Sequence, residues 1–563
     1  MKQERIFWIF VIISILVHIY AMTFPLATLE DESFHVERAI YSTQILDLIN
    51  PLVLTFLILL SIGFLFLLYK LYSKKVNYFL LVLIPIAIIY YFLINYFAIR
   101  FSTAQFGSLD LNNFSWLVRY GSIGTVVYTL QLFVFGYKEW AMRLFPLIFS
   151  VLASFMMYKL VLLYKNENWA LFSAISLLFM PGFFYFVNIS QPTTGVIFFT
   201  LTSLYFLLKY VKQKEQKHLI YMTLFLILGF QYKETFFLIY GIIFSYLIYL
   251  YLIKEKDINF KKILKYIFLS LIPLILWLIV QMRFNANPSA SRIFFLDSSL
   301  FTFTNFFRYI IHLPEQVTLP LTILFLISLP FISYNIFKKR DQLSFIFLVY
   351  FLIHFVFFTK DNLRNFMVVY RYGADLIPPV AYLSFFFLEK FDKKEIIRFL
   401  SYGLVLFLLV SSCFLTYNHW EKRFIPMDGT FSYIKENVPE DAKILKTMAP
   451  NPYKFYMGKY ELKQEFKHEV WKNSSEQNIT NLYSFMKNNN YTYFIFPNPI
   501  ISYQSYWPTD YGWVTSWVYK PELKLVSVLN ESLLYNLEIN NTYFDIVYRE
   551  ELGPNALYLI KIR

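Results

Sequence analysis

The chain runs to 563 residues, of which 58% are hydrophobic, 21% aromatic and 16% charged, with a mean hydropathy of +0.49. Soluble domains average about 45–50% apolar and about 25% charged residues, so an ordinary soluble enzyme, a disordered chain and a fibrous one are excluded. The net charge is +14, and all of it falls in the first 417 residues, which carry 35 basic and 21 acidic side chains, whereas Asn418 to Arg563 balances 16 against 16.

Stretches long enough to cross a bilayer, roughly 20 apolar residues each, recur through the first 417 positions. The positive charge sits in the short loops between them, which is the pattern of cytoplasmic anchoring and not of a nucleic-acid surface. Met1–Arg5 is short and basic and precedes the apolar run Ile6–Pro25, with no small-residue cleavage site before Glu30–Glu32. The N-terminus is therefore expected in the cytoplasm and Glu30, Asp31 and Glu32 on the outer face. Spans are predicted over 6–25, 51–71, 78–98, 143–164, 168–187, 194–211, 219–233, 236–253, 263–283, 317–337, 343–358, 372–388 and 398–417. That makes thirteen, so the tail from Asn418 lies outside. Asn113–Gly136 carries Arg119 among Ser, Thr and Gly, and a crossing there would reverse the loop charges that follow. It is expected to be a helix lying along the outer membrane surface.

In the tail the period changes. Helices are predicted over Gly429–Asn437 and Ser475–Asn489, and strands over Ala442–Thr447, Tyr491–Pro497, Lys524–Leu529, Thr542–Arg549 and Ala556–Ile562. The predicted fold class is thus mainly α. It is a polytopic helical bundle over 1–420, with a helical hairpin at 51–98 and an outer juxtamembrane segment at 100–142, followed by an extracytoplasmic α/β domain over 421–563.

Arginine is distributed unevenly. Of 23 basic residues on the predicted inner side, only Arg5, Arg340 and Arg398 are arginines. Of twelve on the outer side of the membrane region, nine are arginines, among them Arg143, Arg292, Arg308 and Arg371. Guanidinium grips phosphate through paired hydrogen bonds where lysine is a point charge, so an outward phosphate pocket is one reading. Headgroup anchoring with ion pairs to nearby acids is the other.

The sharpest local signal is the run Glu30-Asp31-Glu32-Ser33-Phe34-His35-Val36-Glu37-Arg38. Three consecutive carboxylates beside apolar walls repel one another, which raises at least one pKa and suits a general base near neutral pH. An ordinary acidic helix start, favoured by the helix dipole, has the same composition. Asp31, Glu32 and His35 are also donors suited to a divalent metal such as Mn²⁺ or Zn²⁺. One cysteine, Cys413, excludes an intramolecular disulfide framework and a cysteine zinc cluster.

A first span followed by an Asp-Glu pair resembles the GT-C glycosyltransferases, integral membrane enzymes that use polyprenyl-phosphate sugars. The similarity is best to the protein O-mannosyltransferase and aminoarabinose-transferase branch, glycosyltransferase family 39-like. Tyr120–Gly136 resembles its juxtamembrane helix, and Glu139-Trp140-Ala141-Met142-Arg143-Leu144-Phe145-Pro146 the stretch that opens its next span. Phe230-Gln231-Tyr232-Lys233-Glu234-Thr235 resembles its Lys-Glu loop, and Arg371-Tyr372 through Pro378-Pro379 its late Arg-Tyr span. Three departures stand out: the extra hairpin at 51–98, Gln191-Pro192-Thr193-Thr194 where many relatives carry an outer-face acid after a proline, and Ser33-Phe34 beside the acid pair, which matches no particular acceptor.

The resemblance implies sugar transfer from a polyprenyl-phosphate donor to an acceptor hydroxyl on a glycan, lipid or protein, in the bilayer, with no nucleic acid and no required cofactor. Asp31 is the expected general base, and Glu32 orients sugar or acceptor. His35, Lys233, Glu234, Arg371, Arg143, Arg292 and Arg308 are expected to bind substrate, with Lys233 and Arg371 first for the phosphate. An oligosaccharyltransferase-like enzyme, invited by Asp510-Tyr511-Gly512-Trp513, and a non-enzymatic transporter of lipid-linked sugars are the alternatives.

Overall fold

A computed structural model of the chain describes residues 2–22, 122–188, 190–255, 258–283, 310, 313–314, 316–359, 373–388, 395–423, 427–439, 441–446, 465–468, 479–498, 543–552 and 555–563. The predicted spans at 51–71 and 78–98, the strand at Lys524–Leu529 and the Asp510-Tyr511-Gly512-Trp513 segment lie outside these residues.

The helices follow in order: α1 (Lys2–Met22), α2 (Ser122–Phe135), α3 (Glu139–Leu162), α4 (Glu167–Phe179), α5 (Pro181–Val187), α6 (Thr193–Gln213) and α7 (Gln216–Tyr232). A 3₁₀ turn at Glu234–Phe237 leads into α8 (Leu238–Leu252), α9 (Phe260–Arg283), α10 (Leu319–Lys339) and α11 (Gln342–Thr359). A second 3₁₀ turn, Ala374–Leu376, opens α12 (Ile377–Leu383), and α13 (Glu395–Arg423) closes the bundle. Six described helices are long and apolar enough to cross a membrane.

Two predicted spans are not single helices. The run predicted over 168–187 breaks into α4 and α5 with a bend of 59°. Pro181 opens α5, and a proline removes the amide that would continue the ladder, so the helix restarts in a new direction. The run predicted over 372–388 is a 3₁₀ turn and the short α12, again with a proline, Pro378, in its first turn.

The described residues of α2 number 14. At about 1.5 Å per residue they span less than the roughly 30 Å hydrocarbon layer. Tyr128 and Leu132, one turn apart, are buried, while Leu130, Phe133 and Val134 remain exposed. The helix therefore has one face on protein and one apolar edge turned outward.

After α13 come α14 (Asp428–Asn437), β1 (Lys443–Lys446), β2 (Glu465–His468), α15 (Ile479–Asn488), β3 (Tyr493–Asn498), β4 (Phe544–Leu552) and β5 (Asn555–Ile562). The strands form one sheet in the order β2-β1-β3-β5-β4. The β1 pairings with β2 and β3 are parallel, and the β3–β5 and β4–β5 pairings antiparallel. The strand period of two sorts the apolar run of β5 onto both faces. Leu557 and Leu559 pack with Phe431 and Ile434 of α14, whereas Tyr558 and Ile560 pack with Leu482 and Met486 of α15. The first of these layers also takes in Tyr128, Leu132 and Met142, so α2 and the start of α3 sit directly against the sheet-bearing region.

Chain direction then divides the bundle into two ends. The exits of α1, α7 and α13 and the entries to α3, α6 and α10 share the sheet end. The opposite end holds Lys159, Lys165, Lys212, Lys254, Lys338 and Arg398, the basic side of the predicted pattern. There Lys165 Nζ donates to Asp341 Oδ2 at 2.6 Å, with both side chains nearly buried. Lys165 also lies 4.7 Å from the Trp169 ring, and Asp341 accepts from the amide and hydroxyl of Ser344. Gln342 Oε1 receives the Tyr246 hydroxyl at 2.7 Å. The α3–α4 and α10–α11 turns are thereby tied into one polar core.

Candidate active site

Glu30, Asp31, Glu32 and His35 lie outside the described residues, as do Arg292, Arg308 and Arg371; the frame around them is described. α1 supplies the scaffold from which the acid run departs, and it is held at both ends. Near its start, Phe7 stacks on Tyr158 at 5.6 Å and Glu4 accepts from Lys159 at 3.1 Å. Nearer the sheet end, His18 Nδ1 is 2.7 Å from Asn188 Oδ1, and the His18 ring lies 4.1 Å from that of Phe184. At its final turn the buried Arg143 guanidinium of α3 donates through Nη1 to the carbonyls of Met22 and Ala21, at 3.2 and 3.4 Å.

Lys233 stands at the sheet end, where α7 stops. It is extended (φ −155°, ψ 138°) between the helix and the 3₁₀ turn, and its side chain is buried. What sets it there is the residue before it. The Tyr232 ring packs against Gly195, where a Cβ would run into it, and the Tyr232 carbonyl would meet a Cβ at Gly124 at 2.6 Å. Phe149 and Phe199 flank the same ring at 5.3 and 5.6 Å. Glycine is needed at both positions because the backbone of one helix touches the side chain or main chain of the next. Gly195→Ala is accordingly expected to destabilise the protein by about 1–3 kcal/mol, the usual cost of overpacking, seen as a lower unfolding midpoint in detergent. Glu234 opens the 3₁₀ turn directly after Lys233; its side chain lies outside the described set.

The turn into α6 faces this corner. Its residues Gln191, Thr193 and Thr194, which replace the acid-bearing sequence of the family resembled, are buried. The position is polar and uncharged. Thr318, just before α10, has φ 78° and ψ 151°, a conformation that β-branched residues avoid. Strain of that kind persists only where the surroundings hold it, and it concentrates at functional sites. Two residues earlier, the Gln316 side chain fills the space over Gly182 and reaches Gly373.

Sequence reasoning passed over Asp375, which is buried at 4% exposure in the 3₁₀ turn after the Arg371 segment. It lies within electrostatic range of Tyr350, whose hydroxyl is beside Thr200 of α6. The available signal was an acid inside an otherwise apolar span, which is costly in a membrane and marks function or a required partner. Among the described residues no group of three or more His, Cys, Asp or Glu is arranged to hold a metal ion. The Asp31 and His35 candidates fall outside that set.

Residues 124–280 match the family model of the dolichyl-phosphate-mannose-protein mannosyltransferases. That segment spans α2 to α9 and includes Arg143, the Gln191–Thr194 turn and Lys233. Among solved structures, ArnT from Cupriavidus metallidurans in the apo state aligns over 99% of this chain and 98% of its own, with a TM-score of 0.55 at 9% identity. The same protein bound to undecaprenyl phosphate aligns over 78% and 88%, with a TM-score of 0.47 at 10% identity. The archaeal oligosaccharyltransferase AglB from Archaeoglobus fulgidus, in complex with an inhibitory peptide and a dolichol-phosphate, covers 67% of this chain and 61% of its own, with a TM-score of 0.44 at 12% identity. A sequence search of curated proteins found no match. The chain thus shares the fold of apo ArnT, a multi-pass helical membrane bundle, and its segment from 124 to 280 is similar to the dolichyl-phosphate-mannose-protein mannosyltransferases.

Proposed function

We propose that the protein transfers a sugar from a polyprenyl-phosphate donor to an acceptor hydroxyl at the outer face of the membrane, with inversion at the anomeric carbon. The N-terminus is cytoplasmic in this reading, and the sheet-bearing domain is extracytoplasmic. The observation that carries the reading is the buried Lys233 at the end of the bundle where α1 exits toward the acid run.

The chemistry asks little more. A lipid phosphate leaves as an anion near neutral pH, so no general acid is required, whereas a glycoside hydrolase needs two carboxyl groups. One base must take the acceptor proton, and cations must hold the departing phosphate. Asp31 is the base, and Glu32 orients sugar or acceptor with His35 as a hydrogen-bond partner. Lys233 and Arg371 hold the phosphate, assisted by Arg292 and Arg308, and Glu234 is the nearest candidate for a second carboxylate. Attack from the face opposite the phosphate inverts the centre. No metal is needed for this chemistry; if one takes part, Asp31 and His35 are its donors.

The test is transfer by the purified protein in proteoliposomes, using a panel of radiolabelled sugars on polyprenyl phosphate. Label appearing on an acceptor glycan, lipid or protein supports the transferase. Movement of intact lipid-linked sugar across the bilayer without transfer overturns it in favour of transport, and transfer of whole oligosaccharide from a diphosphate carrier favours the oligosaccharyltransferase. Lys233→Met is expected to raise KM for the donor about 10–100-fold, the worth of one charge-assisted hydrogen bond of about 1.5–3 kcal/mol, in initial-rate measurements.

A further inference from the structure

The guanidinium of Arg143 is buried, and its Nη1 donates to the backbone carbonyls of Ala21 and Met22. The carbonyls of Ala21 and Met22 belong to the last turn of α1, where the final carbonyls have no partner within the helix. That end also carries the negative pole of the helix dipole, which favours a cation. α1 has no basic residue of its own in its last turn, so the charge comes from α3.

The two residues before Arg143 each bind a different part of the molecule. The Ala141 carbonyl accepts from Gln131 Nε2 of α2 at 2.6 Å. Met142 is fully buried in the layer formed by Tyr128, Leu132, Phe431 and Leu557, between α2 and the sheet. Three consecutive residues thus tie α2, the sheet-bearing region and the end of α1 to the first turn of α3. A helix turns about 100° per residue, so adjacent side chains diverge, and a tripeptide at a helix entrance can face three neighbours at once. The acid run begins at Glu30, eight positions beyond Met22 in sequence.

We propose that Arg143 is a positioning residue, which fixes the exit of α1 and so the approach of the Asp31 segment to the substrate. This rests on the transferase reading above for its catalytic part, while the grip on α1 stands by itself. A cation that acts only through α1 contributes to the rate and not to donor affinity; a phosphate ligand contributes to affinity.

The experiment compares Arg143→Met, Arg143→Gln and Arg143→Lys with the wild type in two measurements. In steady-state transfer, Arg143→Met is expected to lower kcat about 10–100-fold, with KM for the polyprenyl-phosphate sugar within about twofold. Arg143→Lys, which keeps the charge and one donor, is expected to recover most of that loss, and Arg143→Gln only part. In hydrogen exchange on the protein in nanodiscs, the amides of the last turn of α1 are expected to exchange about 10–100-fold faster in Arg143→Met and near the wild-type rate in Arg143→Lys. A KM raised tenfold or more at unchanged kcat overturns the proposal and makes Arg143 a phosphate ligand. Unchanged exchange in Arg143→Met overturns it as well. If the wild type transfers no sugar, the functional reading fails while the exchange result still decides the grip. If Arg143→Met does not insert, the lysine and glutamine variants carry both readouts.

Discussion

Asp31→Asn is expected to abolish measurable transfer, with a loss of about 10²–10⁴-fold in kcat, the range over which a positioned general base accelerates proton removal. Asparagine keeps the size and one acceptor oxygen of the side chain but cannot take a proton, so donor binding is expected to persist. The measurement is single-turnover transfer from a radiolabelled polyprenyl-phosphate sugar, with binding of the unreactive donor followed in parallel. Asp31→Glu is expected to retain a small fraction of the rate, since it keeps the proton acceptor but moves it by a methylene. An Asp31→Asn protein as active as wild type would falsify the assignment of the base. Loss of donor binding at unchanged turnover would instead make Asp31 a binding group.

The second large effect is expected at the opposite end of the bundle, and on stability. Lys165 and Asp341 meet at 2.6 Å with side-chain exposures of 8% and 9%. Removing one partner of a buried pair leaves the other charge uncompensated, at a cost of about 3–5 kcal/mol. Asp341→Leu is therefore expected to lower the unfolding midpoint steeply and to reduce the yield of folded protein. The double variant Lys165→Met with Asp341→Leu is expected to recover much of the loss, because two apolar side chains need no partner there. Thermal unfolding in detergent, read by tryptophan fluorescence or differential light scattering, compares the single and double variants. An equal loss in both would show that Ser344 and the Trp169 ring, not the ion pair, secure this corner. Turnover per folded molecule is expected to be unchanged, since the pair lies a full bundle length from Lys233 and the exit of α1.

Much of this molecule could be read along the chain because the signals are local. The apolar run over 6–25 becomes α1 at Lys2–Met22, and that over 194–211 becomes α6 at Thr193–Gln213, since about 20 apolar residues in lipid have no better conformation than a helix. Tyr491–Pro497 and Ala556–Ile562 read as strands and pair with each other as β3 and β5. The breaks were harder to read. The runs over 168–187 and 372–388 have span length, and the prolines at 181 and 378 alone did not announce that each would divide. A proline in a membrane helix is often accommodated by neighbours, so its effect depends on what packs beside it.

The candidate site shows the same division. Lys233 was visible as a charge after an apolar run and from its Lys-Glu neighbour, but nothing local tells that Tyr232 is wedged between Gly124 and Gly195 to hold it. Arg143 was visible as an outer-side arginine. That its guanidinium would reach carbonyls more than 120 positions earlier in the chain is a long-range contact with no sequence period. Asp375 is marked locally only as an acid among the arginine and prolines around it; its burial near Tyr350 is a tertiary feature.

From its residues alone the chain declares a membrane bundle, a basic side, a mixed helix and strand tail and an acid run after the first span, because hydropathy, charge and side-chain period act within a few turns of backbone. Which polar groups meet inside the bundle was decided by the tertiary structure alone. In a medium without water each buried donor must find an acceptor wherever the packing brings one, and that meeting is set by how helices far apart in sequence lie against one another.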